Sequence, residues 1–162
     1  MSETEKISPE KQFIDRLKQL DDKGALARLK RNAGNSISES RGVLPIFYRL
    51  LPPDVPASHR RWYFLVATLF PLAEPASKGS LGFALRTAKD KKKTGEKGYD
   101  RRLEVLLDAD AEQLPFRLRQ VVRLVKSAEV AIHWEQLLTD LIRWDYIERS
   151  VQERWARDYF TN

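Results

Sequence analysis

Three basic side chains recur along one edge of a predicted helix. Arg119, Arg123 and Lys126 stand at i, i+4 and i+7, and at about 100° per residue these positions lie on one side of a helix. No acidic residue occurs between Gln113 and Ala128, so the three cations have no carboxylate partner along their own helix. Their chemistry would be ion pairing with an outside anion such as a phosphate. A solvated polar face is the alternative, and it is the usual reason for a charged helix face.

A second basic group lies on a shorter helix predicted from about Lys23 to Ala33. It carries Arg28, Lys30 and Arg31. These side chains could also contact phosphate, or they could extend along the protein surface with only their charged ends in water. Considered alone, this helix favours the second interpretation.

Residues 89–99 contain a lysine-rich tract with two glycines. The composition predicts a flexible basic loop that separates two parts of the chain. Such a loop could bind a polyanion loosely through counterion release, or it could serve only solubility. The sequence leaves both interpretations open.

Catalytic and metal-binding patterns find little support. A Gly-rich phosphate loop, an HExxH motif and a nucleophile elbow are all absent from the sequence. His59 and His133 are far apart, and the chain has no cysteine, so we expect no metal and no cofactor. Asp108, Asp110 and Glu112 could suggest magnesium, but helix capping explains them better.

Composition favours a folded domain with an anionic partner. The 162 residues are 42% hydrophobic and 32% charged, and the formal net charge of +6 gives a pI near 9.6. Nucleic acid is the commonest partner of such a basic protein. No apolar run approaches the roughly 20 residues needed to span a bilayer, and the acidic, polar start MSETEKISPEK is unlike a signal peptide. We therefore expect a cytoplasmic protein without membrane contact.

Hydrophobic periodicity predicts an all-α fold, a bundle of about eight or nine helices. Ser8 and Pro9 give a capped helix start, and the stretch from Ser58 to Ala73 is apolar nearly all round, as expected of a buried central helix. On the predicted helix with the basic edge, the neighbouring stripe is apolar. Its members are Leu114, Leu118, Val121, Val122 and Val125.

The predicted organisation is two small packed helical subdomains. We expect residues 1–7 to be disordered, 8–88 to form an N-terminal subdomain, 89–99 to form the flexible basic loop and 100–162 to form a C-terminal subdomain. The lysine tract marks the boundary, because glycine-punctuated polar stretches are typical of connections between packed units.

Six segments in this order resemble the CasB family, the small subunit of the type I-E CRISPR surveillance complex Cascade. They are ALARLKRNAG (25–34), LPIFYRLLP (44–52), SLGFALR (80–86), LPFRLRQVVRLVKSAEVAIHW (114–134), LLTDLIRWD (137–145) and VQERWARDYF (151–160). None of them is a catalytic signature. The specificity comes from their joint occurrence over nearly the whole chain.

The resemblance implies a non-catalytic subunit that works within an RNA-guided complex. It implies contact with the backbone and large subunits, with a second copy of the chain, and with single-stranded DNA of the R-loop, whose unwound strands the family helps to hold. The positions that match as phosphate-contacting cations are Lys30, Arg31, Arg86, Arg119, Arg123, Lys126 and Arg143. Arg143 could equally pair with Asp140 or Asp145.

Two other classes of function remain open from the sequence. The chain could be a structural adaptor whose basic faces bind acidic proteins without touching DNA. A nuclease would instead require a divalent-metal site, for which the residues offer little.

Overall fold

The chain forms nine α-helices in the computed structural model, which describes residues 7–161. They are α1 (Pro9–Gln19), α2 (Lys23–Arg31), α3 (Leu44–Leu50), α4 (Arg60–Leu69), α5 (Leu81–Lys92), α6 (Glu96–Leu107), α7 (Leu114–Ser127), α8 (Trp134–Ile142) and α9 (Ser150–Phe160). Within this part of the chain no strand forms, and one isolated β-bridge joins Pro75 to Ile132. The predicted all-α class is confirmed.

Short polar side chains start several of the helices. The Ser8 hydroxyl accepts a hydrogen bond from the Lys11 amide at 3.1 Å, as predicted, and Pro9 takes the first helical position. Asp22 and Ser80 cap α2 and α5 in the same way. Each cap satisfies an amide that has no partner inside the helix.

Helix α4 is the predicted buried helix. Trp62, Tyr63 and Phe64 are buried, as is Phe70 in the 3₁₀ turn that follows. This helix packs against α8, α2, α7 and α1. Its apolar surface is therefore covered on all sides, which is why its sequence lacks a polar face.

Helices α5 and α9 share the most extensive interface. Gly82 permits their close approach, since a Cβ atom there would lie 2.3 Å from the carbonyl oxygen of Trp155. A buried carboxylate fixes the other side of α9. Asp140 on α8 accepts a hydrogen bond from the Trp155 indole at 2.8 Å and pairs with Arg154.

The prediction of a flexible loop at residues 89–99 is wrong, because most of this stretch is helical. Helix α5 continues to Lys92 and α6 begins at Glu96, so only three residues connect the two helices. Lys93 and Gly95 both take the left-handed conformation, with φ of 57° and 74°, and reverse the chain direction.

Lys89, near the end of α5, has partners on α6 and α9. The Lys89 ammonium lies 3.1 Å from the Asp100 carboxylate on α6 and 5.2 Å from the ring centre of Tyr159. The Tyr159 hydroxyl donates to the same carboxylate. Lysine is itself a good helix former, so a lysine-rich tract is compatible with the last turn of α5.

Helices from both predicted subdomains pack against one another. The N-terminal helices α1 and α4 contact α8, while α5 contacts α6, α7 and α9. All of them contribute to one hydrophobic core. The division into two subdomains stays a prediction, and the predicted disorder of residues 1–7 falls outside the described residues except for Ile7. None of the nine helices is both long and apolar enough to cross a membrane.

Candidate nucleic-acid interface

Helix α7 buries the apolar stripe that its periodicity predicts. Its five members are fully buried, while Arg123 and Lys126 on the adjacent edge are exposed and Arg119 is half-buried. The apolar contacts fix the rotation of the helix about its axis. The basic edge is therefore held facing away from the core.

The turn that follows α2 meets α7 at a glycine. Gly34 has a φ of +84°, and a Cβ atom there would lie 2.8 Å from the Cδ atom of Arg119. The aliphatic stem of Arg119 therefore packs directly over the backbone of Gly34. The Nε atom of this arginine is buried and has no hydrogen-bond partner in the described part of the protein.

The two helices also bring two lysines close together. Lys30 lies close enough to Lys126 that the repulsion between the two ammonium groups lowers the pKa of Lys126, and partial burial and Arg123 lower it further. Four predicted cations from two helices thus lie together. We refer to Lys30, Arg119, Arg123 and Lys126 as the α2–α7 cationic surface.

These four side chains have no carboxylate partner among residues 7–161. Seven ion pairs form within residues 7–161, and none includes a member of the α2–α7 cationic surface. Like charges held together without counterions attract anions strongly, because binding removes their mutual repulsion.

Arg31 and Arg143 are exposed residues at helix ends. Arg31 is the last residue of α2, and Arg143 follows α8 as its C-cap. Neither forms an ion pair in the region that the structure covers. The suggested pairing of Arg143 with Asp140 does not occur, because that carboxylate is buried against α9.

The partly buried side chain of Arg86 already has partners within the protein. Its Nε atom lies 3.2 Å from the Asp90 carboxylate, and its NH1 group donates to the carbonyl oxygen of Tyr159 at 2.8 Å. It thereby ties α5 to the C-terminal end of α9, where a cation is favourable. The structure does not bring Arg86 to the α2–α7 cationic surface.

The remaining charges of interest have structural partners. Arg117 also lies in the stretch of α7 that has no acidic residue, and its guanidinium carbon lies 5.5 Å from the centre of the Phe116 ring. Asp110 accepts hydrogen bonds from two backbone amides ahead of α7, and Glu112 pairs with Arg61. No cluster of acidic or histidine residues suited to a metal ion occurs among residues 7–161.

A pocket lies beside Lys30 and Lys126, and the sequence pattern does not predict it. It has a volume of about 720 Å³ and is lined by residues from three segments, 26–30, 70–75 and 126–131. These segments are far apart along the chain. Only the packing of α2 and α7 on the turn after α4 brings them together.

The fold and the site define a class of protein. It is all-helical, and two of its helices form a cationic surface that has no carboxylate partner among residues 7–161. Residues 25–160 match the family model of CRISPR-associated protein Cse2. A CRISPR-associated protein Cse2 from Thermus thermophilus is 35% identical over 159 residues, covering 95% of this chain and 91% of that protein. The chain belongs to the CRISPR-associated Cse2 family.

Solved structures agree. CasB from Thermus thermophilus is 32% identical, with a TM-score of 0.81 over 96% of this chain and 100% of that one. The predicted membership of the CasB family is thus confirmed. A chain of a CRISPR RNA-guided surveillance complex, at 23% identity, has the same fold with a TM-score of 0.77 over 93% of this chain and 90% of that one.

Proposed function

We propose that this chain is a non-catalytic, nucleic-acid-binding subunit of a cytoplasmic type I-E CRISPR RNA-guided complex. In this role it contacts the phosphate backbone without sequence preference and stabilises the unwound DNA strands of the R-loop. Family membership supports the assignment to such a complex. The observation that carries the DNA contact is the α2–α7 cationic surface, whose four side chains have no carboxylate partner within residues 7–161.

The geometry suits a sugar-phosphate backbone. Arg119, Arg123 and Lys126 follow one edge of α7 over about two turns, and Lys30 adds a cation from α2. Ammonium and guanidinium groups pair with the phosphate oxygens of any nucleotide. Contacts to phosphate fix position and affinity but carry no sequence information.

A modest affinity is sufficient for this function. An RNA–DNA heteroduplex is about as stable as the DNA duplex that it replaces, so contacts with the separated strands can decide whether the R-loop persists. A protein that holds one strand by several phosphates would shift that balance without hydrolysing anything.

Exposed apolar side chains support contacts with the other subunits and with a second copy of the chain. Ile147 is 95% exposed and the adjacent Tyr146 is 52% exposed, both in the turn between α8 and α9. Contiguous exposed apolar patches are typical of surfaces that other proteins cover, and these two neighbours could belong to one.

The decisive experiment separates DNA holding from assembly. Arg119→Glu together with Arg123→Glu reverses the charge of two members of the α2–α7 cationic surface. We expect the assembled complex to load guide RNA normally and to lose R-loop lifetime. Arg157→Glu makes one such reversal, half of the charge change, at an exposed arginine whose partner is Glu153, and we expect it to leave the R-loop unaffected.

The structural-adaptor alternative predicts a different result. If the basic faces bind acidic proteins, the double variant will fail to assemble, and the purified chain will not shift single- or double-stranded DNA in a gel at either low or moderate salt. Cleavage of DNA with magnesium or manganese would contradict the non-catalytic assignment.

A further inference from the structure

The pocket beside Lys30 and Lys126 has the size of a small-molecule site. Its volume of about 720 Å³ lies within the range of about 300–1,000 Å³ that is common for such sites. Apolar side chains form most of the wall, among them Leu26, Phe70, Leu72 and Val130. A wall of this kind favours a flat, weakly hydrated group.

The two lysines give the pocket a charged mouth. Both line it and both are exposed, so both side chains are accessible to a ligand that enters from solvent. Their mutual repulsion lowers the pKa of Lys126. Glu74 and Glu129 also line the pocket, yet neither forms an ion pair with either lysine in the described structure. The lysines therefore remain available to an anion.

An apolar wall next to a pair of ammonium groups is complementary to a nucleotide, which joins a flat base to an anionic phosphate. We propose that the pocket takes one unstacked base of the bound DNA strand, with the adjoining phosphate held between Lys30 and Lys126. The proposal rests on the proposed function, because it needs a strand on the α2–α7 cationic surface.

The position of the pocket supports a strand over a free nucleotide. Lys126 belongs both to the pocket and to the basic edge of α7, so a backbone that follows Arg119 and Arg123 reaches the pocket at its next contact. Separated strands also present bases that are no longer paired, and proteins that hold single strands commonly bury such bases.

The site should accept any base. The carboxylates of Glu74 and Glu129 can accept hydrogen bonds, and the pairing edge of each of the four bases carries at least one N–H donor. The Phe70 ring is fixed against Trp134, with ring centres 5.7 Å apart. It offers a rigid wall but no shape that selects one base.

The test compares strands with and without bases. A short fluorescein-labelled DNA oligonucleotide and its counterpart with abasic tetrahydrofuran residues carry the same phosphates, and the purified full chain is titrated with each. We expect the wild-type protein to bind the intact strand at least about fivefold more tightly, the lower end of the effect of one buried base. Equal affinities overturn the inference but leave the proposed function intact.

A pocket-filling variant gives an independent measurement. Ala27 lines the pocket from α2 and is exposed, so Ala27→Phe should fill the space without removing a charge. We expect it to bind both strands with the affinity of the wild type for the abasic strand, whereas Ala27→Ser should behave as wild type. Circular dichroism checks that both variants fold, and the wild-type comparison stands without them.

The remaining outcomes are also decisive. If Ala27→Phe changes neither DNA affinity but blocks assembly with the other subunits, the occupant is a segment of a partner protein and the inference is overturned. If neither strand binds the full chain or the assembled complex, the proposed function fails together with the inference.

Discussion

Neutralising the exposed end of the α2–α7 cationic surface should change how salt affects DNA binding. Arg123→Gln with Lys126→Gln removes two charges whose side chains are exposed and without ion pairs in the described region. Neither residue belongs to the buried stripe of α7, so the fold should be unaffected. The variant therefore isolates the electrostatic contribution of these two cations.

The magnitude follows from the number of phosphate contacts. For a single strand, the slope of log K against log salt concentration is about −0.7 per neutralised phosphate, so four contacts give about −2.8 and two give about −1.4. Between about 50 and 200 mM salt, the wild type should then lose about 50-fold in affinity and the double variant about 7-fold.

Fluorescence anisotropy with a labelled single strand at several salt concentrations measures both slopes. Arg157→Gln is the control for the loss of one positive charge elsewhere, because this arginine is exposed on a helix but already paired with Glu153 at 3.5 Å. An unchanged slope in the double variant would refute the assignment of these cations to phosphate contact. So would weakening that differed strongly between oligonucleotides of different sequence.

Three further predictions concern stability. Gly82→Ala should lower the free energy of unfolding by about 1–3 kcal/mol, since its Cβ would meet the Trp155 carbonyl oxygen, whereas Gly98→Ala should raise it by about 0.5–1 kcal/mol. Asp140→Ala should cost about 1–3 kcal/mol, because the buried Trp155 indole loses its acceptor. Hydrogen bonds from Tyr159, and to a lesser extent Lys89, hold the pKa of Asp100 below its ordinary value. Asp100→Asn should therefore remove a contribution to stability that is present above about pH 4 and lost as the pH falls.

Urea unfolding measures all three. A Gly82→Ala protein as stable as Gly98→Ala would show that α5 and α9 can separate freely, since nothing lies within 4 Å of a Cβ at Gly98. Asp15→Ala is the control for Asp140, because its ion pair with Lys11 is exposed and should contribute less than about 1 kcal/mol. Parallel pH profiles for wild type and Asp100→Asn would contradict the assignment of the Asp100 pKa.

The features that the sequence predicts best are those set by local spacing. The α7 stripe and its basic edge follow from helical periodicity, and the cap at Ser8 follows from side-chain chemistry within three residues. Burial of α4 follows from the absence of any polar face. In each case the physical cause acts within a single helix, so no knowledge of the tertiary structure is needed.

The errors and omissions depend on distant partners. The stretch 89–99, predicted as a loop, is helical on both sides of a short turn, and its Lys89 contacts Asp100 and Tyr159. The sequence predicted Arg86 as a phosphate contact, although Asp90 at i+4 already indicated an ion pair within the helix. Its hydrogen bond to the Tyr159 carbonyl spans 73 residues and could not be predicted from local spacing. The meeting of Lys30 with Lys126 likewise arises only from the packing of α2 near α7.

The proximity of those two lysines couples DNA binding to protonation. An anionic phosphate beside the ammonium groups offsets their mutual repulsion. Binding should restore the lowered pKa of Lys126. In alkaline buffer, the protein is therefore expected to take up protons from the buffer when the complex forms. Calorimetry in buffers of different ionisation enthalpy would detect this uptake as a difference in the heat of binding.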